Sequence, residues 1–250
     1  MTLDNHGYDE DCITYSPSGK LFQIDYATEA SNLGSAALAI KSKEHIIFCA
    51  IKKNPGDLSE LIDKIYQIDD HLICTASGLT ADINILIKKM RSKCVSKDFV
   101  LQQQIPPVRL VSEICEKLQY YTMRYDTRPV GCSLIIGGFD DRANSQLFQT
   151  FPSGSYAPVK AAATGERSQA ALTFLEKNGE QFFTDTKENL ILKAIEALRA
   201  TINPTQEFNE KHCSLVILSN DNTKETLLDS QIKEYIQRLP ERIVTVPAIQ

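Results

Sequence analysis

Apolar and polar positions alternate with different periods along this chain, and the order of those periods carries its architecture. Leu21, Ile24, Ala27 and Thr28 recur at helical spacing while Lys20, Gln23 and Glu29 face elsewhere, which predicts a short amphipathic helix with a narrow apolar stripe. Such a stripe needs a surface to pack on. Residues 35–41 and 45–51 then read as a strand hairpin around Ser42-Lys43-Glu44, and residues 64–68 and 72–77 as a second one turning at Asp69-Asp70. Two helical patterns follow, through Ile83, Leu86, Ile87 and Met90 and through Val111, Ile114, Cys115 and Leu118, with Pro106-Pro107 breaking between them. Strand patterns return at 132–139 and 146–151 around the polar turn 140–144, and a shorter extended pair is expected to flank Pro158. Ala171, Phe174 and Leu175 mark a further helix, and Leu190, Ala194, Leu198 and Ile202 the next, before Pro204. The chain closes with a strand at 212–218, a turn at 219–222, a strand near 226–228 and a helix bearing Ile232 and Ile236.

Strands therefore come in runs and helices in pairs. That order argues against repeated βαβ units and for an α+β chain of two packed sheets covered by two helix layers, an αββα sandwich. No linker, low-complexity tract or internal repeat divides it.

Composition narrows the function classes. With 42% hydrophobic and 24% charged residues over 250 positions, the sequence is ordinary globular material. A net charge of -5 leaves no basic footprint, so no nucleic acid partner is expected, and Lys88, Lys89, Arg91, Lys93 and Lys97 read as a solvated or subunit-facing helix surface. Seven cysteines lie singly, and Cys49, Cys74, Cys132 and Cys213 sit in apolar runs where a thiol acts as a small hydrophobe, the usage of a reducing compartment. Residues 1–6 lack the features of a signal peptide, and no apolar run approaches the ~20 residues that span a bilayer, so no membrane partner is expected. His6, His45, His71 and His212 are isolated and Gly137-Gly138 lacks phosphate-loop spacing, so neither a metal nor another cofactor is expected.

One stretch is more specific. In Ser16-Pro17-Ser18-Gly19 the order of Ser, Pro and Gly follows the preferences of a type I turn, and Gln23-Ile24-Asp25-Tyr26-Ala27-Thr28-Glu29-Ala30 follows it, with Tyr8-Asp9 upstream. In that order the three pieces resemble the N-terminal extension of proteasome alpha-type subunits. Ala76-Ser77-Gly78-Leu79-Thr80-Ala81-Asp82, Arg128-Pro129-Val130-Gly131 and Pro152-Ser153-Gly154-Ser155-Tyr156 extend the resemblance through nearly the whole chain. Lys41-Ser42-Lys43, Arg109-Leu110-Val111-Ser112, Phe148-Gln149-Thr150 and Gly165-Glu166-Arg167-Ser168-Gln169 point to one paralogue within the family.

The resemblance implies the four-layer αββα fold of the N-terminal-nucleophile hydrolases, with an alpha-type extension at 1–34 and a core at 35–250. It implies a non-catalytic subunit of a threonine-type endopeptidase complex, the 20S core particle. Its partners would be other alpha subunits in a heteroheptameric ring, beta-ring subunits, and regulatory particles or activators. The implied setting is ubiquitin-dependent and other proteasomal degradation in cytoplasm and nucleus. Tyr8, Asp9, Pro17 and Tyr26 match the family's gating cluster, the plain alternative being that Tyr8 and Asp9 only tether a tail. Lys64, Gly34, Gly78 and Leu79 match its activator-docking pocket, where a lone ammonium suits a carboxylate and small side chains admit a peptide backbone. An ion pair of Lys64 with Glu60, Asp63 or Asp69 is the alternative there. Two departures stand out: Glu10 follows Tyr-Asp where the family often has arginine, and the sequence ends at 246–250 without a long charged tail, so no function resting on that tail is expected.

Catalysis is the competing reading. Proteolytic beta-type relatives attack with a threonine freed at the start of the first strand, its amine and a lysine managing the proton. The corresponding Ser35 lies behind the extension, Ile51 stands in place of the supporting aspartate, and Lys64 matches the lysine. No catalytic residue is expected on this count; the alternative is an N-terminal-nucleophile peptidase with Ser35 exposed by processing. Thr2, which removal of Met1 would expose, reads as an ordinary N-terminal residue.

Overall fold

A computed structural model describes residues 7–52, 58–203 and 208–240. Thr2, His6, Pro204 and residues 246–250 lie outside the described residues. Helix α1 (Phe22–Asn32) precedes the hairpins β1 (Ala37–Lys41) with β2 (His45–Ile51) and β3 (Ile65–Asp69) with β4 (Leu72–Gly78). Helices α2 (Thr80–Leu101) and α3 (Pro107–Thr122) follow, then β5 (Cys132–Phe139), β6 (Ser145–Thr150), β7 (Tyr156–Pro158) and β8 (Ala161–Thr164). The remaining elements are α4 (Ser168–Asn178), α5 (Lys187–Thr201), β9 (Cys213–Ser219), β10 (Lys224–Thr226) and α6 (Asp229–Arg238). Pro106 caps α3 and Pro107 opens it, so the proline pair starts a helix, as its preset φ favours.

Two five-stranded antiparallel sheets result, ordered β10-β9-β2-β1-β8 and β3-β4-β5-β6-β7. Their facing sides meet through Ala39, Phe48, Ile73, Ile135, Leu147 and Val216. On the outer side of the first sheet, Leu38, Ile40, Ile47 and Leu215 pack against α4, α5 and α6. On the outer side of the second, Cys74, Leu134 and Ile136 pack against α2 and α3. Because successive strand residues face opposite ways and both faces are covered, the central strands are apolar at nearly every position. The chain is thus an αββα sandwich.

The extended pair expected around Pro158 forms as β7 and β8, but the two strands do not pair with each other. Pro158 lies opposite Phe148 in the second sheet, whereas Ala161 lies opposite Ile40 in the first, so residues 159–160 carry the chain across the sandwich. Proline is tolerated there because β7 is an edge strand, where one missing N–H costs the ladder least. The last strand spans 224–226, earlier than its apolar residues suggested, and Ile202 is extended, just beyond the end of α5.

All seven cysteines are buried and free. Burial pushes the Cys94, Cys115 and Cys132 thiols up to about 12, so they remain protonated and pack as small apolar groups. The basic cluster on α2 is largely engaged within the chain. Lys93 and Lys97 reach Glu113 at 3.1 and 3.6 Å, Lys89 meets the Tyr121 hydroxyl at 2.5 Å, and Arg91 donates to the Gln67 carbonyl.

Candidate functional site

The extension reaches α1 through the turn at 16–19. The Gly19 N–H donates to the Ser16 carbonyl at 2.8 Å, and the buried Ser16 hydroxyl accepts the Lys20 N–H at 3.0 Å, leaving Pro17 exposed on the crown. Gly19 has φ +78, which a glycine adopts without strain. In α1 the stripe points inward as its spacing requires: Ala27 is buried, and Leu21, Ile24 and Thr28 are half-buried.

The firmest contacts of α1 come from a residue outside that stripe. Ser31 is fully buried against β4 and β5: its hydroxyl donates to the Thr28 carbonyl at 2.7 Å and accepts from Ser133 at 3.0 Å, and its carbonyl accepts the Ser77 hydroxyl at 3.0 Å. Three serines on three elements so satisfy one another, as buried hydroxyls must.

Just beyond α1, the Gly34–Ser35 junction passes through a space with no room for a side chain. A Cβ on Gly34 would stand 2.3 Å from both the Gly78 nitrogen and the Ser77 Oγ, and the Gly34 carbonyl accepts the Glu166 N–H at 2.7 Å. Gly78 itself has φ +119, and a Cβ there would lie 2.2 Å from the Gly131 carbonyl. The Ser35 hydroxyl donates to the Ile51 carbonyl at 3.2 Å, while the Ser35 carbonyl accepts from Lys64 Nζ at 3.2 Å and from Ser77 Oγ at 3.3 Å. An open cleft of about 380 Å³ remains beside Ser35, lined also by Ile51, Lys52, Arg167, Thr201 and His212.

Chemically, the arrangement holds a serine whose amine is acylated by Gly34 and whose hydroxyl bonds a backbone oxygen. Ile51, where the resemblance places a supporting aspartate, carries no carboxylate. Lys64 is only 4% exposed and directs its ammonium to the Ser35 carbonyl. Asp63 turns one carboxylate oxygen to the Lys64 N–H and the Ser214 hydroxyl, both at 2.7 Å. Among the described residues, no group of three His, Cys, Asp or Glu side chains is placed to hold a metal ion, and no helix is long and apolar enough to cross a membrane.

The structure draws the predicted residues into two groups. Gly34, Gly78 and Lys64 surround the junction, with Leu79 exposed at the start of α2 beside them. Tyr26 donates from its hydroxyl to Asp9 at 3.3 Å, and the Gln23 side chain bonds the Asp9 carbonyl, so the tail is tied to α1 at residue 9. Tyr8 is exposed, and Pro17 stands apart in its turn. Sequence reasoning missed Ser31, Ser77 and Ser133; the one local signal was their polarity amid apolar neighbours.

Comparison with known proteins identifies this assembly of features. The family pattern described as "Proteasome subunit" matches residues 31–218, and the N-terminal signature of the A-type proteasome subunits matches residues 8–30. The chain belongs to the proteasome subunit family, in its alpha-type branch. It is similar to "Proteasome subunit alpha type-1" of Dictyostelium discoideum, at 37% identity covering 93% of this chain and 94% of the relative. The protein of the same name from Drosophila melanogaster is 38% identical over 80% of this chain and 71% of its own length. "Probable proteasome subunit alpha type-6" of Schizosaccharomyces pombe is 36% identical, covering 94% and 86%. The paralogue to which the segments at 41–43, 109–112, 148–150 and 165–169 point is the alpha type-1 kind. The chain is a component of the proteasome, assembled with other alpha and beta subunits for protein degradation.

Proposed function

We propose that this chain is a non-catalytic wall and gate subunit: it takes one place in a heteroheptameric alpha ring of the 20S particle, limits substrate access and offers a docking face to regulatory particles. The observation that carries the reading is the Gly34–Ser35 junction. An extension whose last residues are packed under Ser77, Gly78 and Glu166 blocks the amine that an N-terminal nucleophile needs, and the bond from Ser35 to the Ile51 carbonyl occupies its hydroxyl. Tyr26 on α1 and Leu33 just beyond it are exposed apolar side chains that a neighbouring subunit would cover.

In the gate, Tyr8, Asp9, Pro17 and Tyr26 act together, with Asp9 already oriented by Tyr26 and Gln23. In docking, Gly34, Gly78 and Leu79 form the floor and Lys64 supplies the ammonium, whose bond to the Ser35 carbonyl an incoming carboxylate would replace. The setting is ubiquitin-dependent and other proteasomal proteolysis in cytoplasm and nucleus. Electron microscopy of the native particle tests the assignment: this chain is expected at one place in a seven-membered outer ring with residues 8–20 at the pore. Finding it in an inner ring, or as a free monomer, would overturn it.

A further inference from the structure

The gate tail is held at a second point, away from α1, by a residue that neither the gating nor the docking reading uses. Cys12 lies in the irregular segment before the turn, yet it is 3% exposed, while its neighbours Ile13 and Tyr15 are 46% and 65% exposed. Its thiol points at two carbonyl oxygens, of Arg124 at 3.0 Å and of Thr127 at 3.3 Å, both in the connection between α3 and β5. A local turn aims it there: Asp11 accepts the Ile13 and Thr14 N–H groups at 3.0 and 2.7 Å and the Thr14 hydroxyl at 2.8 Å.

The connection that receives Cys12 is itself fixed. Arg128 grips Asp82 with two parallel bonds of 2.7 and 2.8 Å, and the same carboxylate accepts the Gly131 N–H at 3.0 Å. Thr127 adds a bond from its hydroxyl to the Tyr121 carbonyl at 3.0 Å. The start of α2 and the approach to β5 are thereby joined around one carboxylate, Thr127 ties the end of α3 beside them, and the tail rests on that joint.

We propose that Cys12 is a positioning residue of the gate: with the Asp82–Arg128 clamp it seats the tail on the subunit's own α3–β5 connection, and so sets where Tyr8 and Asp9 lie. The proposal rests on the gate reading above. A thiol is a weak donor, so the seat is held chiefly by burial of the side chain and opens when the connection loosens.

The test uses the assembled particle. Iodoacetamide labelling of each cysteine is followed by peptide mass spectrometry, beside hydrolysis of a short fluorogenic peptide by the unactivated particle. Cys12 is expected to react at least about ten-fold more slowly than a cysteine placed next to it by Ile13→Cys, and in Asp82→Asn and Arg128→Gln its rate rises about ten-fold. Cys49 and Cys213, buried in the other sheet, stay protected in both variants and show that the fold is kept. Cys12→Val, which fills the seat, leaves peptide hydrolysis low; Cys12→Asp, which sets a carboxylate against two carbonyl oxygens, raises it. The proposal is overturned if Cys12 reacts as fast as the cysteine at 13, or if neither clamp variant releases it. Release of Cys12 with unchanged hydrolysis supports the seat and overturns the gate reading instead.

Discussion

At Ser31 and Gly34 the extension packs against Ser77, Gly78, Ser133 and Glu166, with no room for a methyl group on Gly34, whereas at residues 8–15 it lies largely on the surface with Tyr8, Ile13 and Tyr15 in solvent. One segment is therefore part of the core at its downstream end and a loosely tied strap at its upstream end. The downstream end owes its order to close packing and satisfied hydroxyls. The upstream end rests on a few contacts, at Asp9 and Cys12. The proposed gate would need this asymmetry, because elements that move are drawn from the least stable parts of a fold.

Substitutions at the two ends should differ accordingly. Gly34→Ala is expected to cost about 3–5 kcal/mol, since its Cβ would meet backbone and not a flexible side chain. Thermal unfolding reads this, and a melting point within a degree or two of the parent would sink the account of the junction. Ser31→Val should cost about 1–3 kcal/mol by stranding the Ser133 hydroxyl, measurable by denaturant unfolding. Tyr26→Phe removes an exposed hydroxyl contact, so stability should change by less than about 0.5 kcal/mol. Amide exchange in residues 8–13 should nevertheless accelerate; unchanged exchange would mean that Tyr26 does not hold the tail.

The smallest effect is expected from pH over the ordinary range. The Arg128 guanidinium bonded to Asp82 holds its carboxyl below the usual carboxylate range. A depressed value means that the clamp contributes fully above the unfolded carboxylate's value of about 3.9 and is lost as pH falls through the lower folded value. Protection of the Gly131 amide, corrected for its intrinsic exchange rate, should thus be level between about pH 5 and 8 and collapse in strong acid. A decline near neutrality would show that another group controls the connection.

Most of the sandwich was legible because strands buried on both faces must be largely apolar, as at 46–50 and 134–136, and because long helices repeat their apolar positions. The separate destinations of β7 and β8 were not, since three or four residues on either side of Val159-Lys160 carry no signal of which sheet they join. The junction was legible only in part. Gly34, Ser35, Ile51 and Lys64 were found by their order along the chain, but the burial of Lys64 under the Ser35 carbonyl follows from the packing of one sheet on the other, which no local pattern encodes. Cys12 escaped for the same reason: its partners lie 112 and 115 residues away, and nothing in the polar segment around it distinguishes a buried thiol from an exposed one.

The central claim is that the extension stays attached and takes the place of a free nucleophile. Intact-mass spectrometry of this chain, released from the assembled particle, measures that directly. The account predicts a chain that still carries the residues before Gly34; a mature chain beginning at Ser35 would contradict it.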